Sequence, residues 1–289
     1  MRRITISAVL MSLIAAFSAR AQLQTLVDTS TVINVPSNGY AVISSAQSYS
    51  DADLQITMHG VPFDYRVGEV ALNGFIFTGP ATIQFQGSIN NPSFATIDVA
   101  SLRKAVGTNI QTLVVSPTNV NSATINVSDK SYAVIRSADT QSSATLSITI
   151  QGVLFTYALQ DVSVKNLTFA GPATVQLQGD QYGPSFATVD VMPLRKSSKT
   201  QIETLVVSPT NTVSQVLNVT GKQYAVVRSF SSESGAVFSA SVAGAALSFN
   251  DVLDESPIGF TFAGPAMFEL DGNIYGPSFM TFEVGPQHK

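Results

Sequence analysis

The sequence repeats itself three times, and this limits the possible folds more than any other feature. Tyr-Ala-Val occurs at Tyr40, Tyr132 and Tyr224, spaced by 92 and 92. Gly-Pro-Ala begins at Gly79, Gly171 and Gly264, and Pro-Ser-Phe at Pro92, Pro184 and Pro277, each spaced by 92 and 93. Thr-Leu-Val opens the copies at Thr25, Thr112 and Thr204, spaced by 87 and 92. Anchors in one order at one period mark an internal repeat. A solenoid coil takes about 20–50 residues per repeat, so this period is too long for one. It matches a small domain able to bury its own core. The repeat therefore predicts three tandem modules, at 22–108, 109–200 and 201–289. The seams are short basic stretches, Leu102 to Thr108 and Leu194 to Thr200, which read as solvated linkers.

Within a module the hydrophobic period is two. In the second copy, Leu146, Ile148 and Ile150 alternate with Thr145, Ser147 and Thr149. Such a segment is a strand with one buried and one wet face. Ala173–Gln178 places Val175 and Leu177 inward in the same way, and 186–191 sets Ala187, Val189 and Val191 against Thr188 and Asp190. Further strands are expected at 123–127, 132–137, 153–159 and 166–170. Gly, Pro, Asn and Asp fall between them, as turns require. No segment after the N-terminal one carries a helical period. About seven strands per copy predict an all-β chain of three antiparallel β-sandwich modules, immunoglobulin-like or small jelly-roll. The chain has neither Cys nor Trp, so the disulfide and Trp of true immunoglobulin domains are missing.

The N-terminus reads as an export signal. Arg2 and Arg3 precede an uncharged, largely apolar stretch from Ile4 to Phe17, and Ala19-Arg20-Ala21 is a small-x-small cleavage site. At 14 residues the stretch is shorter than the roughly 20 that span a bilayer, so cleavage before Gln22 is expected. This predicts signal peptide 1–21 and an extracytoplasmic protein of a bacterium, in periplasm, surface or medium, with no membrane span in the mature chain. The absence of Cys fits an oxidising space. The whole chain has a formal net charge of −4, and loss of Arg2, Arg3 and Arg20 makes it more acidic. Nucleic acid is thereby excluded as a partner, since its binding needs a basic surface.

Residues that could carry chemistry are few. The two His, His59 and His288, recur in no other copy, and a general base needs a positioned partner. Asp98, Asp190 and Glu283 share one position in the three copies, but no second acid recurs with them to make a glycosidase pair. Their expected role is a surface acid, paired at Arg136 and Arg228 and facing Ser44 in the first copy. The loops Gly179–Gly183 and Asp271–Tyr275 offer oxygen ligands, yet calcium takes six to eight and the matching 87–91 has no acid. No metal, cofactor or catalytic residue is expected. Tyr182 and Tyr275 lie in matching loops and are the candidate contacts to a ligand or partner, since loop rings can stack on a sugar or a protein surface. Phe94, Phe186 and Phe279 fall opposite the main apolar set, where they would plug a sandwich end or touch the next module. The function expected is structural, adhesive or surface-assembling, without catalysis. Its partner would be the protein itself or a cell-surface or extracellular polymer. The alternative is glycan binding through the two loop tyrosines.

Overall fold

The computed structural model describes residues 22–287 apart from 28, 49–51, 68–69, 87–92, 103–108, 119–122, 162, 195–199, 211–212, 233–235, 250–256 and 273–274. The signal segment 1–21, most of both linker stretches, the 87–91 loop and His288 lie outside the described residues. Among those described there is no helix. The described residues form 24 strands in six antiparallel sheets of four, paired as sandwiches.

The first set of strands comprises β1 (Gln22–Leu26), β2 (Val32–Val35), β3 (Gly39–Ser48), β4 (Asp53–Met58), β5 (Val61–Arg66), β6 (Ile76–Thr78), β7 (Ala81–Gln86) and β8 (Ser93–Ser101). The second comprises β9 (Asn109–Val115), β10 (Ala123–Val127), β11 (Ser131–Thr140), β12 (Thr145–Ile150), β13 (Val153–Ala158), β14 (Thr168–Ala170), β15 (Ala173–Gln178) and β16 (Ser185–Pro193). The third comprises β17 (Gln201–Val207), β18 (Gln215–Val219), β19 (Gln223–Ser232), β20 (Val237–Val242), β21 (Ala245–Phe249), β22 (Thr261–Ala263), β23 (Ala266–Asp271) and β24 (Ser278–Pro286).

Each set has eight strands rather than seven, and each winds in one order. The first gives sheets β1-β8-β3-β6 and β2-β7-β4-β5, and the other two repeat this arrangement strand for strand. Each set is thus a β-sandwich of two four-stranded antiparallel sheets. The strand absent from the seven expected in the second copy is β9, which carries the Thr112-Leu113-Val114 anchor. Its burial does not alternate cleanly, because the edge strand it forms is half-buried on its outer side as well.

The repeated anchors have physical causes. Gly171 lies against the turn before β11: a Cβ there would sit 2.0 Å from the Ser128 carbonyl oxygen. Gly79 and Gly264 meet the oxygens of Pro36 and Thr220 at 2.1 and 1.9 Å. Each glycine N–H donates to the neighbouring strand start, as Gly171 does to the Ser131 carbonyl at 2.9 Å. Any side chain would push these two segments apart. The register of the long pair also shifts at one place in every copy, between Ile43 and Ser45, Ile135 and Ser137, and Val227 and Ser229. The extra residue of this bulge is Ser44, Arg136 or Arg228, and a bulge re-aims the side chain it carries.

By their internal contacts the residues group into two compact units, 1–106 and 107–289. The first is one sandwich, closed around Ile43, Leu54, Ile56, Phe77, Phe85 and Ile97, each at most 1% exposed. The second unit holds two sandwiches. The core of its C-terminal one is rich in stacked and tilted Phe rings, including Phe238, Phe268 and Phe282.

Candidate interaction surfaces

Within 107–289 the two sandwiches share a core. Val206 of β17 and Phe279 of β24 belong to the apolar cluster of the preceding sandwich, beside Phe155, Tyr157, Ile148 and Phe169. The Phe279 ring meets Phe155 edge-on, with centroids 5.0 Å apart and planes at 83°. Both rings are fully buried. Phe155 lies on β13, the edge strand of its sheet, and β14 is the edge strand of the facing sheet. The sandwich is open between these two edges, and the outer face of the next sandwich closes it.

Polar groups finish the seam. The outward backbone edge of β14 would otherwise present unpaired amides, a costly state when buried. The Ala170 N–H donates to Thr204 Oγ1 at 2.8 Å, and the Thr168 N–H to Ser229 Oγ at 3.2 Å. Ser229 Oγ in turn donates to the Thr168 carbonyl. The Tyr157 hydroxyl reaches Ser231 Oγ at 2.9 Å, and Gln151 Nε2 donates to the Thr204 carbonyl at 3.1 Å. Thr204 and Thr281 also pair through their hydroxyls at 3.0 Å. The expected contact of Phe279 with a neighbour is thus made with the preceding sandwich.

Thr188 and Asp190 do not lie on a wet face, contrary to their place in the sequence pattern. Both are fully buried, as is Thr281 in the third copy. Period two separates the faces of a strand but does not say that the outer face stays in water; for Phe279 and Thr281 the second sandwich covers it. The expected acid pairing is present. Arg136 binds Asp190 at 2.7 Å, its side chain 17% exposed over a fully buried carboxylate. Arg228 pairs with Glu283, and Ser44 donates to Asp98 in the first copy. Asp190 Oδ2 accepts from two guanidinium nitrogens, while its Oδ1 is buried without a hydrogen-bond partner. Burial, together with the Asp190 carboxylate, pushes the nearby Tyr132 hydroxyl above its ordinary pKa.

Tyr182 and Tyr275 stand out into solvent, 79% and 82% exposed. They belong to equivalent loops of the second and third sandwiches, immediately before β16 and β24. Asp180 shapes the first of these loops: its carboxylate accepts the Tyr182 N–H and the Ser143 N–H, each at 2.9 Å. Those bonds, that from Tyr182 first, hold the Asp180 carboxyl below its usual range. Asp271, at the start of the other loop, accepts from Ser214 Oγ. His59 sits at an exposed hairpin corner with φ +50°, where Gln151 and Ala243 sit in the other copies. Partial burial lowers its pKa. An open depression of about 380 Å³ lies beside the Ala243 hairpin, with Asn218, Ser241, Pro265 and Met267 in its wall and no titratable side chain. Among the described residues no three His, Asp or Glu gather as a metal site would need, and no helix is long and apolar enough to cross a membrane.

No protein-family model matches the chain, and no curated protein does. Among solved structures, a conserved Pseudomonas aeruginosa PAO1 protein of unknown function aligns over 92% of this chain and 100% of its own at 9% identity, TM-score 0.23. The major capsid protein P2 of bacteriophage PM2 aligns over 63% of this chain and 98% of its own at 11% identity, TM-score 0.22. Overlaps this loose carry no argument about either fold or function.

Proposed function

We propose that this is an exported bacterial protein without catalytic activity, built of three tandem jelly-roll modules, whose role is structural: adhesion or surface assembly. The observation that carries the reading is the seam between the second and third sandwiches. A fold that leaves one side of its core open to a following copy of itself is suited to making length and valency, and valency raises avidity without new kinds of contact. The repeat, the Ser/Thr/Gln-rich faces and the export-like N-terminus support the same reading. The test is location. Fractionation of the producing cells, with mass spectrometry of the mature N-terminus, is expected to find a chain starting at Gln22 in the envelope, in the medium or within an extracellular matrix. A full-length chain in the cytoplasm would contradict the proposal.

A second reading has its own support in the exposure of Tyr182 and Tyr275. Rings held out on matched loops suit stacking against the apolar faces of sugars. A glycan array decides between the two. Specific binding by the wild type, lost when Tyr182→Ala and Tyr275→Ala are combined, favours a glycan-binding protein. An empty array, with the protein still localised outside the cell, favours the assembly role.

A further inference from the structure

Each side of the seam within 107–289 has a bare counterpart elsewhere in the chain. The incoming side consists of Thr204, Val206, Ser229 and Phe279. Strand register fixes their equivalents in the first sandwich: Thr25 opposes Thr96 as Thr204 opposes Thr281, and Ser45 opposes Thr96 as Ser229 opposes Thr281. The equivalents are therefore Thr25, Val27, Ser45 and Phe94. Val206 is 2% exposed and Phe279 fully buried, whereas Val27 is 58% exposed, its neighbour Leu23 is 65% exposed, and Phe94 is only half-buried.

The receiving side consists of Phe155 on β13 with Thr168 and Ala170 on β14. Leu247 pairs with Ala240 as Phe155 pairs with Ile148, and Ala263 pairs with Tyr224 as Ala170 pairs with Tyr132. The equivalents in the third sandwich are therefore Leu247, Thr261 and Ala263. Leu247 is 43% exposed, and Thr261 and Ala263 are exposed where Thr168 and Ala170 are buried. Phe260, just before β22, is 45% exposed. An apolar incoming face is thus bare on the first sandwich and an apolar receiving face on the third.

We propose that these two faces bind each other between copies: the first sandwich of one molecule closes the open core of the third sandwich of the next. The inference rests on the assembly reading and names the partner as a second copy of this chain. Val27 and Phe94 cover Leu247 and Phe260. Thr25 Oγ1 and Ser45 Oγ accept the outward amides of Ala263 and Thr261, as Thr204 and Ser229 do for Ala170 and Thr168. The hydrogen bonds to be replaced come from backbone, so they survive the change of side chains between copies. Because the two faces differ, each molecule gives one and receives one. A head-to-tail contact of this kind adds subunits until a ring closes or a row runs on.

The test uses sedimentation equilibrium on the full protein purified after export, with variants Val27→Glu and Leu247→Glu. Both side chains are exposed, so both variants are expected to keep the wild-type β-sheet circular dichroism; Val27→Lys and Leu247→Lys replace any that do not. The expected result has three parts. The wild-type average mass climbs with concentration beyond twice the monomer. Each variant alone stays monomeric. An equimolar mixture of the two forms a one-to-one dimer and nothing larger, because one intact face of each kind remains. A monomeric wild type, a single variant that still associates, or a mixture that stays monomeric overturns the proposal. Wild type that stays monomeric yet is recovered with the envelope or matrix defeats this contact and spares the assembly role. Wild type that forms the predicted rows yet is confined to the cytoplasm does the reverse.

Discussion

Gly171 has no room for a methyl group. The nearest atom to a Cβ there is a backbone oxygen, that of Ser128 at 2.0 Å, and it cannot swing aside as a side chain could. Gly171→Ala is expected to destabilise by about 3 kcal/mol, the upper end of ordinary overpacking, read as a lower urea midpoint at unchanged slope. A second residue-scale test contrasts two ion pairs at one position. Arg136→Leu strands a fully buried Asp190 carboxylate and should cost about 3–5 kcal/mol, while adding Asp190→Leu should recover most of it. The matching Arg228→Leu leaves Glu283 21% exposed and able to hydrate, so its cost is expected to be about 1 kcal/mol or less. Urea unfolding of these three variants measures the contrast. At this scale the sequence was partly readable. Aligned positions were enough to pair Asp190 with Arg136 and Glu283 with Arg228, but nothing in them distinguished a drowned carboxylate from a surface one. That difference lies in how far the outer face is covered, which the alternation of one strand does not record.

Strands declared themselves where one face was buried and the other was not. Ala123–Val127 and Ala173–Gln178 begin and end where alternation says they should, because β10 and β15 keep a wet outer face. β9 and its counterpart β17 escape the pattern: Thr204 to Val207 are buried without a break. An edge strand packed on both sides loses the contrast that period two depends on, so the segment was legible only as a repeated Thr-Leu-Val. The hairpins between β4 and β5, β12 and β13, and β20 and β21 show the reverse case, one backbone built from three sequences. Each turn holds two residues at positive φ: His59 and Gly60, Gln151 and Gly152, Ala243 and Gly244. Two-residue hairpins of this hand favour Asn-Gly, and an alanine in the left-handed region is strained. Ala243→Asn should therefore stabilise by about 0.5–1 kcal/mol, which thermal unfolding would report as a higher midpoint with unchanged secondary structure.

For the molecule, the decisive fact is that a sandwich in 107–289 is completed by its successor rather than by its own strands. The repeat foretold three equivalent cores; inside this unit the second core contains Val206 and Phe279, which belong to the third copy. Sequence periodicity could not show this, since it records what recurs within a copy and is silent on which copy's side chain fills a gap. The energetic consequence is coupling. With Phe279 in place, unfolding the third sandwich strips the cover from Phe155 and Tyr157, so the two should melt together. Phe279→Ala removes the ring that bridges them. Truncating a buried phenylalanine costs about 3–5 kcal/mol, and here the loss falls on the junction. Scanning calorimetry of the variant should show the heat absorption of 107–289 splitting into two overlapping transitions, where the wild-type unit gives one. Val227→Ala, a truncation deep in the third core and away from the seam, supplies the control: it should lower the same transition without dividing it. If Phe279→Ala merely shifts an undivided peak, the shared core does not couple the two sandwiches.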